Sequence, residues 1–376
     1  MMTREDNEAL TRVGPGTPGG DMLRRYWWPV WLSAEVTTKP VPVRLLGEDF
    51  VLFRDGDGKV GMLDIACPHR RTSLALGRVE ARGIRCCYHG WLLNAEGRCL
   101  EMPAEPPGSR LHEDVRTRHA AVREAGGFVF AYLGPDPAPI LPQYDLLFRD
   151  DCDRAVWIKE DHCNWAQRAE NGVDPYHSMS LHASVYPTMA MKRPEARWDP
   201  TWYGFRMQSE YPGGKRNVSH HIFPSSTRRH GARVGSRPSE YLHIRVPIDD
   251  TLTYTFYVKA NIHPDGPYRT QSRGMHRTVR GEYARVDDEW WGLESSDQDR
   301  AAQESQGPIH DRTREFLASS DRGVVMWRKI ALDSIRAVAN GGDPHGVLRD
   351  PARDTIIHFD AGKNFSDHEK ALTSAV

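Results

Sequence analysis

The sequence lacks a long apolar run, a marked net charge and a cysteine framework. Its 376 residues carry 50 basic and 51 acidic side chains, a net charge of −1, so no overall field favours nucleic acid or an acidic membrane. No apolar stretch approaches the length of a transmembrane helix, and the opening residues, MMTREDNEALTRVG, lack the apolar core of an export signal. The six cysteines show no disulfide-framework spacing, which fits a reducing compartment. We therefore expect a cytoplasmic protein with neither nucleic acid nor a membrane as partner.

What the sequence does contain is a compact group of soft metal ligands. Cys67 and His69 are separated by one residue, and Cys86 and His89, further along, by two. Each pair offers one sulfur and one nitrogen from a predicted loop, and two cysteines with two histidines are the ligands of a Rieske [2Fe–2S] cluster. A zinc site with two cysteines and two histidines is the alternative, but zinc fingers group their cysteines and their histidines separately. The mixed pairs favour the cluster.

The surrounding stretch, CPHRRTSLALGRVEARGIRCCYHGW, resembles the Rieske motif of ring-hydroxylating non-haem iron oxygenases. Cys87 departs from that family, which usually has proline there, and would be a spare, oxidation-sensitive thiol beside the cluster. The loop-joining disulfide of respiratory-chain Rieske proteins would fall on Thr72 and Tyr88, so it is absent here. The amino-terminal segment TREDNEALTRVGPGTP resembles the phthalate-dioxygenase-like branch, which uses α subunits alone.

Turn signals and the periodicity of apolar residues divide the chain into an all-β part and a part with both helices and strands. From Val41 to about Leu133, short apolar runs alternate with turn signals such as Asp55-Gly56, which predicts a small β-sandwich or barrel. The proline-rich stretch 134–143 marks a boundary. We therefore expect an amino-terminal helical segment at 1–26, a Rieske domain at 27–137 and a catalytic domain at 138–376.

Helical and strand-like stretches alternate in the second part. Residues 165–182 read as a helix interrupted at 172–175, and residues 203–258 read as strands. Residues 262–298 are polar and predict a loop, which either covers a site or is a plain surface excursion. The helical period returns from Asp299 to about Asn340. The predicted fold class is α+β, and the resemblance implies a helix-grip, START-like catalytic domain in which helices pack on an antiparallel sheet.

A second group of possible metal ligands lies in the segment NWAQRAENGVDPYHSMSLH. On one continuous helix His177 and His182 would point roughly 140° apart, so they can meet at one ion only if the helix bends or ends between them. Asp174, His177 and His182 match the mononuclear iron motif of the same oxygenases, found after the Rieske motif in the expected order. Two histidines and one carboxylate, with open positions, are what an O₂-activating Fe(II) requires.

The third iron ligand must come from further along the chain. Asp299 is followed by four residues and then Glu304, as the family's ligand aspartate often is, so the resemblance favours Asp299, with Asp297 second. Asp311 precedes Arg312, and we interpret those two as a structural ion pair.

The resemblance also implies an electron route. In the family, an aspartate at the position of Asp174 connects an iron-ligand histidine, here His177, to a cluster histidine of a neighbouring chain, here His89 of the partner subunit. The three-residue spacing would place Asp174 on the same helix face as His177, where it could orient the imidazole; a helix cap is the simpler role. The bridge implies a head-to-tail homotrimer.

No reductase motif is present, neither a Rossmann fingerprint nor a plant-type cluster. Electrons would therefore come from an NAD(P)H-dependent flavin and iron–sulfur reductase, directly or through a ferredoxin. The expected reaction is O₂-dependent cis-dihydroxylation of a small aromatic substrate, an aromatic acid or aryl ether by analogy with the branch. An O- or N-demethylating monooxygenase would use the same metal sites. A protein of another class, a Rieske electron carrier with a non-catalytic binding domain, would need no second iron.

The sequence indicates the substrate contacts least clearly. The candidates are Asn171, Arg206 and Arg245. The two arginines lie in predicted strands and could clamp a carboxylate bidentately, although surface arginines would give the same pattern.

Overall fold

The structure, a computed structural model, describes residues 2–214, 216–234, 237–263, 266–283 and 293–359. The chain forms two compact units. The small unit is Arg24–Ala138, and the large unit combines the residues up to Leu23 with those from Pro139 onward. The amino-terminal segment thus belongs to the large unit, where Asn164 donates a hydrogen bond to the carbonyl of Thr11 (2.8 Å) and Asp250 accepts one from the backbone N–H of Val13 (2.9 Å).

The small unit is built from short antiparallel strands. They are β1 (Trp27–Leu32), β2 (Val41–Leu45), β3 (Glu48–Arg54), β4 (Val60–Asp64), β5 (Arg78–Glu80), β6 (Gly83–Arg85), β7 (Leu92–Leu93), β8 (Cys99–Glu101), β9 (Ala121–Ala125) and β10 (Phe128–Tyr132). They form three sheets, in the orders β1-β10-β9, β2-β3-β4 and β5-β6-β7-β8. The prediction that this part of the chain folds into β-strands is confirmed.

A buried cluster joins two of these sheets and includes the motif cysteines. Cys67 and Cys86 pack with Phe53, Leu63 and Ile84, all nearly inaccessible to solvent. Burying an apolar side chain of this size stabilises a fold by roughly 1.5–3 kcal/mol. The loops that begin at the two cysteines are therefore anchored in the core.

The large unit contains one eight-stranded sheet and seven helices in the described part of the chain. The strands are β11 (Cys152–Asp161), β12 (Glu195–Thr201), β13 (Gly204–Glu210), β14 (Arg216–Ile222), β15 (Ser226–Val234), β16 (Arg237–Pro247), β17 (Thr253–Ile262) and β18 (Thr270–His276). The helices are α1 (Arg4–Thr11), α2 (Pro18–Leu23), α3 (Asp145–Phe148), α4 (Trp165–Val173), α5 (His177–Ser180), α6 (Ser295–Ser305) and α7 (Arg322–Ala339). The sheet order is β12-β13-β14-β15-β16-β17-β11-β18, antiparallel except for the β11–β18 pair.

The strand pleat gives this sheet two distinct faces. One cross-strand row consists of Phe205, His221, Thr227, His243, Tyr257 and Trp157. Helix α4 packs on this side through an ion pair between Arg168 and Asp161 of β11 (3.1 Å), and α6 through an ion pair between Asp297 and Lys159 of the same strand. We call this side the α4 face.

Alternate residues point to the opposite side, because successive side chains of a strand alternate. The row there consists of Arg206, His220, Arg228, Leu242, Val258 and Val156. Helix α3 covers it, since the buried carboxylate of Asp145 accepts two hydrogen bonds of 3.0 Å from Arg228. We call this side the α3 face.

The region predicted as a loop, 262–298, is partly regular. Strand β18 occupies Thr270–His276 and extends the sheet, and α6 begins at Ser295, four residues before the predicted start at Asp299. Residues 264–265 and 284–292 of this region lie outside the described residues. In the part of the chain that the structure describes, no helix is both long and apolar enough to cross a membrane.

Candidate metal centres

The small unit holds two thiols and two imidazoles in separate pairs. The side chains of Cys67 and Cys86 are buried neighbours in the core, whereas the rings of His69 and His89 lie toward the surface with centroids 4.5 Å apart. Burial, together with the neighbouring Cys86 thiol, raises the pKa of Cys67 to about 11. A thiolate at that position therefore requires a bound cation.

Backbone hydrogen bonds hold the two loops that present these groups. The N–H of Cys67 bonds to the carbonyl of Thr72 (2.9 Å), and the N–H of Cys86 to that of Trp91 (2.9 Å). The second loop turns at Gly90, whose φ of +74° is costly for other residues. The indole of Trp91 stacks on the His69 ring, with centroids 4.5 Å apart and planes 9° from parallel. All six cysteines are free thiols, and Cys87 is exposed beside the pair.

The arrangement of the four groups bears on whether they hold one ion or a larger cluster. Among the described residues, only His177, His182 and Asp299 bring three potential ligand atoms within 4.8 Å of one another. The four donors of the small unit do not form such a group. Sulfur ligands on one side and nitrogen ligands on the other fit a two-iron cluster.

The large unit holds the second group. Oδ1 of Asp299 lies 3.2 Å from Nε2 of His182 and 3.6 Å from Nε2 of His177. The two imidazole rings are 5.2 Å apart and nearly perpendicular, at 82°. Two histidines and one carboxylate converging in this way form the facial set of donors that non-haem Fe(II) oxygenases use.

Helix α5 ends between His177 and His182, as the spacing of these two histidines requires if they are to meet at one ion. Helix α4 stops at Val173, and α5 is a single turn, His177–Ser180, so His182 lies beyond it and its ring can swing back toward His177. Asp174 lies between α4 and α5, in the interruption predicted at 172–175, so it does not share a helix face with His177 as their three-residue spacing suggested. Its Oδ1 accepts the N–H of Tyr176 (2.7 Å), and its Oδ2 lies 3.6 Å from Nδ1 of His177.

The structure also separates the candidate aspartates. Asp297 is ion-paired with Lys159, on the side of α6 that meets the sheet, whereas Asp299 faces the two histidines. Asp311 accepts hydrogen bonds from Thr313, not from its neighbour Arg312. The predicted Asp311–Arg312 ion pair is therefore wrong.

Electrostatics keep the Asp299 carboxylate ionised. Burial alone would raise its pKa, but the neighbouring His182 and His177 side chains hold the pKa of Asp299 well below its usual range. The same contact acts on His182, whose pKa is raised by Asp299 despite burial. The group therefore offers an anionic oxygen beside two histidines.

The predicted substrate residues fall in three different places. Asn171 donates a hydrogen bond to Oδ1 of Asp299 (3.1 Å). Arg245 lies on the α4 face, where it donates to Thr227 (2.9 Å) beneath Gly172 of α4, and burial with nearby cations lowers the pKa of Arg245 to about 9. Arg206 lies on the α3 face. The two arginines point to opposite sides of one sheet and cannot bind one ligand together.

Two residues of this site were missed from the sequence. Gln298 is fully buried, and its Oε1 lies 2.8 Å from Nδ1 of His182. Arg229 is half-buried on the α4 face, two residues from Thr227, and its charge reaches His182 and His221. The alternation of the β15 sequence STRRHGARV could have placed Arg229 on the same side as Thr227. No sequence signal pairs Gln298 with His182.

An open groove reaches the histidine site from the side of α4 away from the sheet. It has a volume of about 220 Å³, and its lining includes Asn171, Asp174 and His177 near the metal ligands. Further out, the carboxylates of Glu315 and Asp321 line it. The groove thus connects the Asp174–His177 pair to the surface of the large unit.

Comparisons with known proteins agree with both metal centres. Residues 26–123 match the family of Rieske [2Fe-2S] domains. The chain is 36% identical to the 5,5'-dehydrodivanillate O-demethylase oxygenase subunit of Sphingobium sp., over 95% of this chain and 86% of that protein. It is 33% identical to the phthalate 4,5-dioxygenase oxygenase subunit of Pseudomonas putida, over 96% and 92%. The terminal oxygenase of carbazole 1,9a-dioxygenase from Nocardioides aromaticivorans has a similar fold (TM-score 0.66, 18% identity, 88% and 97% coverage).

Proposed function

The chain belongs to the terminal oxygenase subunits of Rieske non-haem iron systems, and on that premise we propose that it hydroxylates an aromatic carboxylate at iron held by His177, His182 and Asp299. The observation that carries the proposal is the convergence of these three side chains, whose donor atoms lie within 4.8 Å of one another. The protein is an oxidoreductase with two cofactors, a Rieske [2Fe–2S] cluster and a mononuclear iron.

We assign the cluster to Cys67, Cys86, His69 and His89 of the small unit. Their separation into buried thiols and outward imidazoles supports the assignment. The cluster supplies single electrons, and the mononuclear iron supplies the O₂ chemistry. We accordingly propose the small unit as the electron-relay domain and the large unit as the catalytic domain.

The chain's own residues prepare the iron site for that chemistry. Asp299 stays ionised because His182 and His177 hold its pKa low, so it offers charge to a cation without first losing a proton. Asn171 donates to the same carboxylate (3.1 Å) and fixes its orientation. Three protein donors would leave positions on a bound iron open for the O₂ chemistry that it supplies.

The charges on the α4 face support an anionic substrate. Arg168 is paired with Asp161, and Arg245 is bonded to Thr227 and the carbonyl of Ser225. Arg229 is half-buried, and its guanidinium makes no hydrogen bond or ion pair within the described part of the chain. A cation in that state can bind a carboxylate bidentately. The names of the two curated relatives above, a dehydrodivanillate demethylase and a phthalate dioxygenase, both denote aromatic carboxylates.

The α4 face also supports an aromatic ring. Trp157 and Tyr257 stack in parallel, with centroids 5.0 Å apart, and His243 meets Tyr257 edge to face at 4.6 Å. Burial and the neighbouring arginines hold the pKa of His243 well below its usual range, so it adds no charge at pH 7. Neutral aromatic surface beside a cation is what an aromatic acid requires for binding.

Oxidative O-demethylation is the second candidate reaction. The relative at 36% identity carries that activity in its name, whereas the phthalate relative is a dioxygenase. Both reactions need the same iron ligands, and they differ in whether a ring edge or a methoxy carbon is held toward the iron. The substrate's position relative to Arg229 decides between them.

We propose that electrons enter from a second copy of the chain. The groove beside Asp174 is lined by the carboxylates of Asp321 and Glu315, of which Glu315 is paired with Arg328, so its unpaired charge is negative. The cluster tip of the small unit is basic and aromatic, with Arg70 exposed and stacked over Tyr88. These charges complement one another, which supports docking of the tip of one copy into the groove of the next, in a head-to-tail homotrimer with Asp174 between His177 and His89 of the partner subunit. A reductase, directly or through a ferredoxin, would reduce the cluster.

The proposal is tested by turnover with a surrogate reductase, NADH and O₂. Aromatic acids with and without methoxy groups are offered, and products are identified by mass. Gain of two oxygens and two hydrogens means dihydroxylation, and loss of a CH₂ unit means demethylation. A His182→Ala variant should keep the cluster's visible spectrum and form no product. Full turnover by that variant would overturn the assigned site.

A further inference from the structure

The residue just before Asp299 in α6 contacts a different metal ligand. Gln298 is fully buried, with 0% of its surface exposed. Its Oε1 lies 2.8 Å from Nδ1 of His182, and its Nε2 donates to Oγ of Ser184 (3.0 Å). An amide oxygen only accepts, so Nδ1 of His182 carries the proton and donates it. The unprotonated nitrogen is then Nε2, the atom that lies 3.2 Å from Asp299.

We propose that Gln298 is a positioning residue that fixes the tautomer and ring orientation of His182, so that its Nε2 lone pair is presented to the iron. The inference rests on the proposed iron site. An imidazole ligates through the nitrogen that lacks a proton, and the hydrogen bond at the other nitrogen selects which one that is. Without an acceptor at Nδ1, His182 could protonate Nε2 instead or rotate about its side chain.

The second histidine is held differently. Nδ1 of His177 is buried without a hydrogen bond in the described part of the chain, and the nearest carboxylate oxygen, on Asp174, is 3.6 Å away. Only His182 therefore has a short hydrogen bond that fixes its ring before metal binds. We expect Gln298 to contribute more to metal affinity than Asp174 does.

Helix α6 supplies both Asp299 and Gln298 to the site. Its first turn is fixed to the sheet by the ion pair between Asp297 and Lys159, and the N–H of Gln298 bonds to the carbonyl of Glu294 (2.9 Å). One rigid turn thus delivers the carboxylate of Asp299 and the acceptor for His182 together. A neutral amide suits this place, because a second carboxylate next to Asp299 would add like charge in a buried site.

The test measures metal affinity in the large unit, not turnover. Co(II) serves as an oxygen-stable probe of the iron site in protein whose Rieske cluster is intact, and the dissociation constant and visible ligand-field spectrum are recorded. Gln298→Leu removes the acceptor, and its Co(II) affinity should fall 10- to 100-fold with a changed spectrum. Gln298→Glu keeps an acceptor and should recover part of that affinity, less the cost of a second carboxylate beside Asp299. Wild-type affinity and spectrum in Gln298→Leu would overturn the proposal.

Controls separate this inference from the iron site on which it rests. Gln298→Asn shortens the side chain by one methylene, keeps a neutral amide and should weaken Co(II) binding, so it replaces Gln298→Leu if that variant does not fold. Gln167→Leu changes another buried glutamine, which bonds to backbone groups only, and should lower the unfolding midpoint without changing the Co(II) spectrum. If His182→Ala binds Co(II) normally, the iron site is misassigned; if it loses Co(II) while Gln298→Leu and Gln298→Asn bind it as the wild type does, only this inference fails.

Discussion

The side-chain amide of Asn171, near the end of α4, donates a 3.1 Å hydrogen bond to Oδ1 of Asp299 in α6. That oxygen is also the one nearest to both histidines. A carboxylate oxygen shared in this way has little freedom to turn, so the contact would fix how Asp299 meets the proposed iron.

Replacing Asn171 by alanine should therefore weaken iron binding without abolishing it. We expect an iron dissociation constant about tenfold higher, in the range typical for lost partners of metal ligands, and a lower kcat with the cluster spectrum unchanged. Iron content after dialysis against a weak chelator measures the effect. Gln208→Ala, at a position in β13 where the amide bonds to Asp199, is the control. Unaltered iron retention in the Asn171 variant would show that its contact with Asp299 is incidental.

Arg229 and Arg206 provide a matched pair on the two faces of one sheet. Arg229→Gln should raise KM for an aromatic carboxylate at least about tenfold, because a hydrogen-bonded charge pair contributes roughly 1.5–3 kcal/mol. KM for the corresponding neutral amide should change little. Arg206→Gln, on the α3 face, should leave the ratio of the two KM values as in the wild type. Equal loss for acid and amide in the Arg229 variant would mean that this arginine does not bind the carboxylate.

The buried ion-pair network under α4 should control stability. Glu170 accepts bidentate hydrogen bonds from the fully buried Arg312 (2.8 and 2.9 Å) and a further one from Arg328 (2.7 Å). Glu170→Ala leaves the fully buried Arg312 without its carboxylate partner, while Arg328 keeps Glu315, and should lower the free energy of unfolding by about 3–5 kcal/mol. Asp333→Ala, which breaks an exposed pair with Lys329, should cost less than about 1 kcal/mol. Denaturant unfolding compares the two.

The same network determines how the free energy of unfolding changes as the pH falls. Despite its burial, Arg312 and Arg328 hold the pKa of Glu170 below its usual value of 4.5. Its stabilising effect is then fully present above pH 4.5 and is lost as the pH falls through the lower, folded-state pKa. The unfolding free energy of the wild type should decline in that acid range, and Glu170→Gln should show a flatter decline. A steeper decline in the variant would contradict the pairing.

The sequence alone led to the proposed metal ligands but not to their surroundings. Cys67, His69, Cys86 and His89 could be chosen because the spacing of mixed pairs is chemically specific. The need for a helix to end between His177 and His182 followed from helix geometry, and α5 does end there.

Contacts that depend on strand register or on distant elements could not be predicted in this way. Arg206 and Arg245 looked equivalent in the sequence. A shift of strand register by one residue moves a side chain to the other face of the sheet, and the register is known only from the pairing of the strands. The contact of Gln298 with His182 joins residues 116 positions apart. Strand β18 was mistaken for a loop because its sequence, TQSRGMH, is polar and it pairs only at the sheet edge.

Metal and sulfide analysis of one purified chain tests the central claim most directly. The account predicts about three irons and two acid-labile sulfides per chain, two irons with the sulfides in the cluster and one held by His177, His182 and Asp299. The His182→Ala variant should then retain two irons, both sulfides and the red-brown colour. Two irons per chain in the wild type, with no loss in that variant, would contradict the account and indicate an electron carrier.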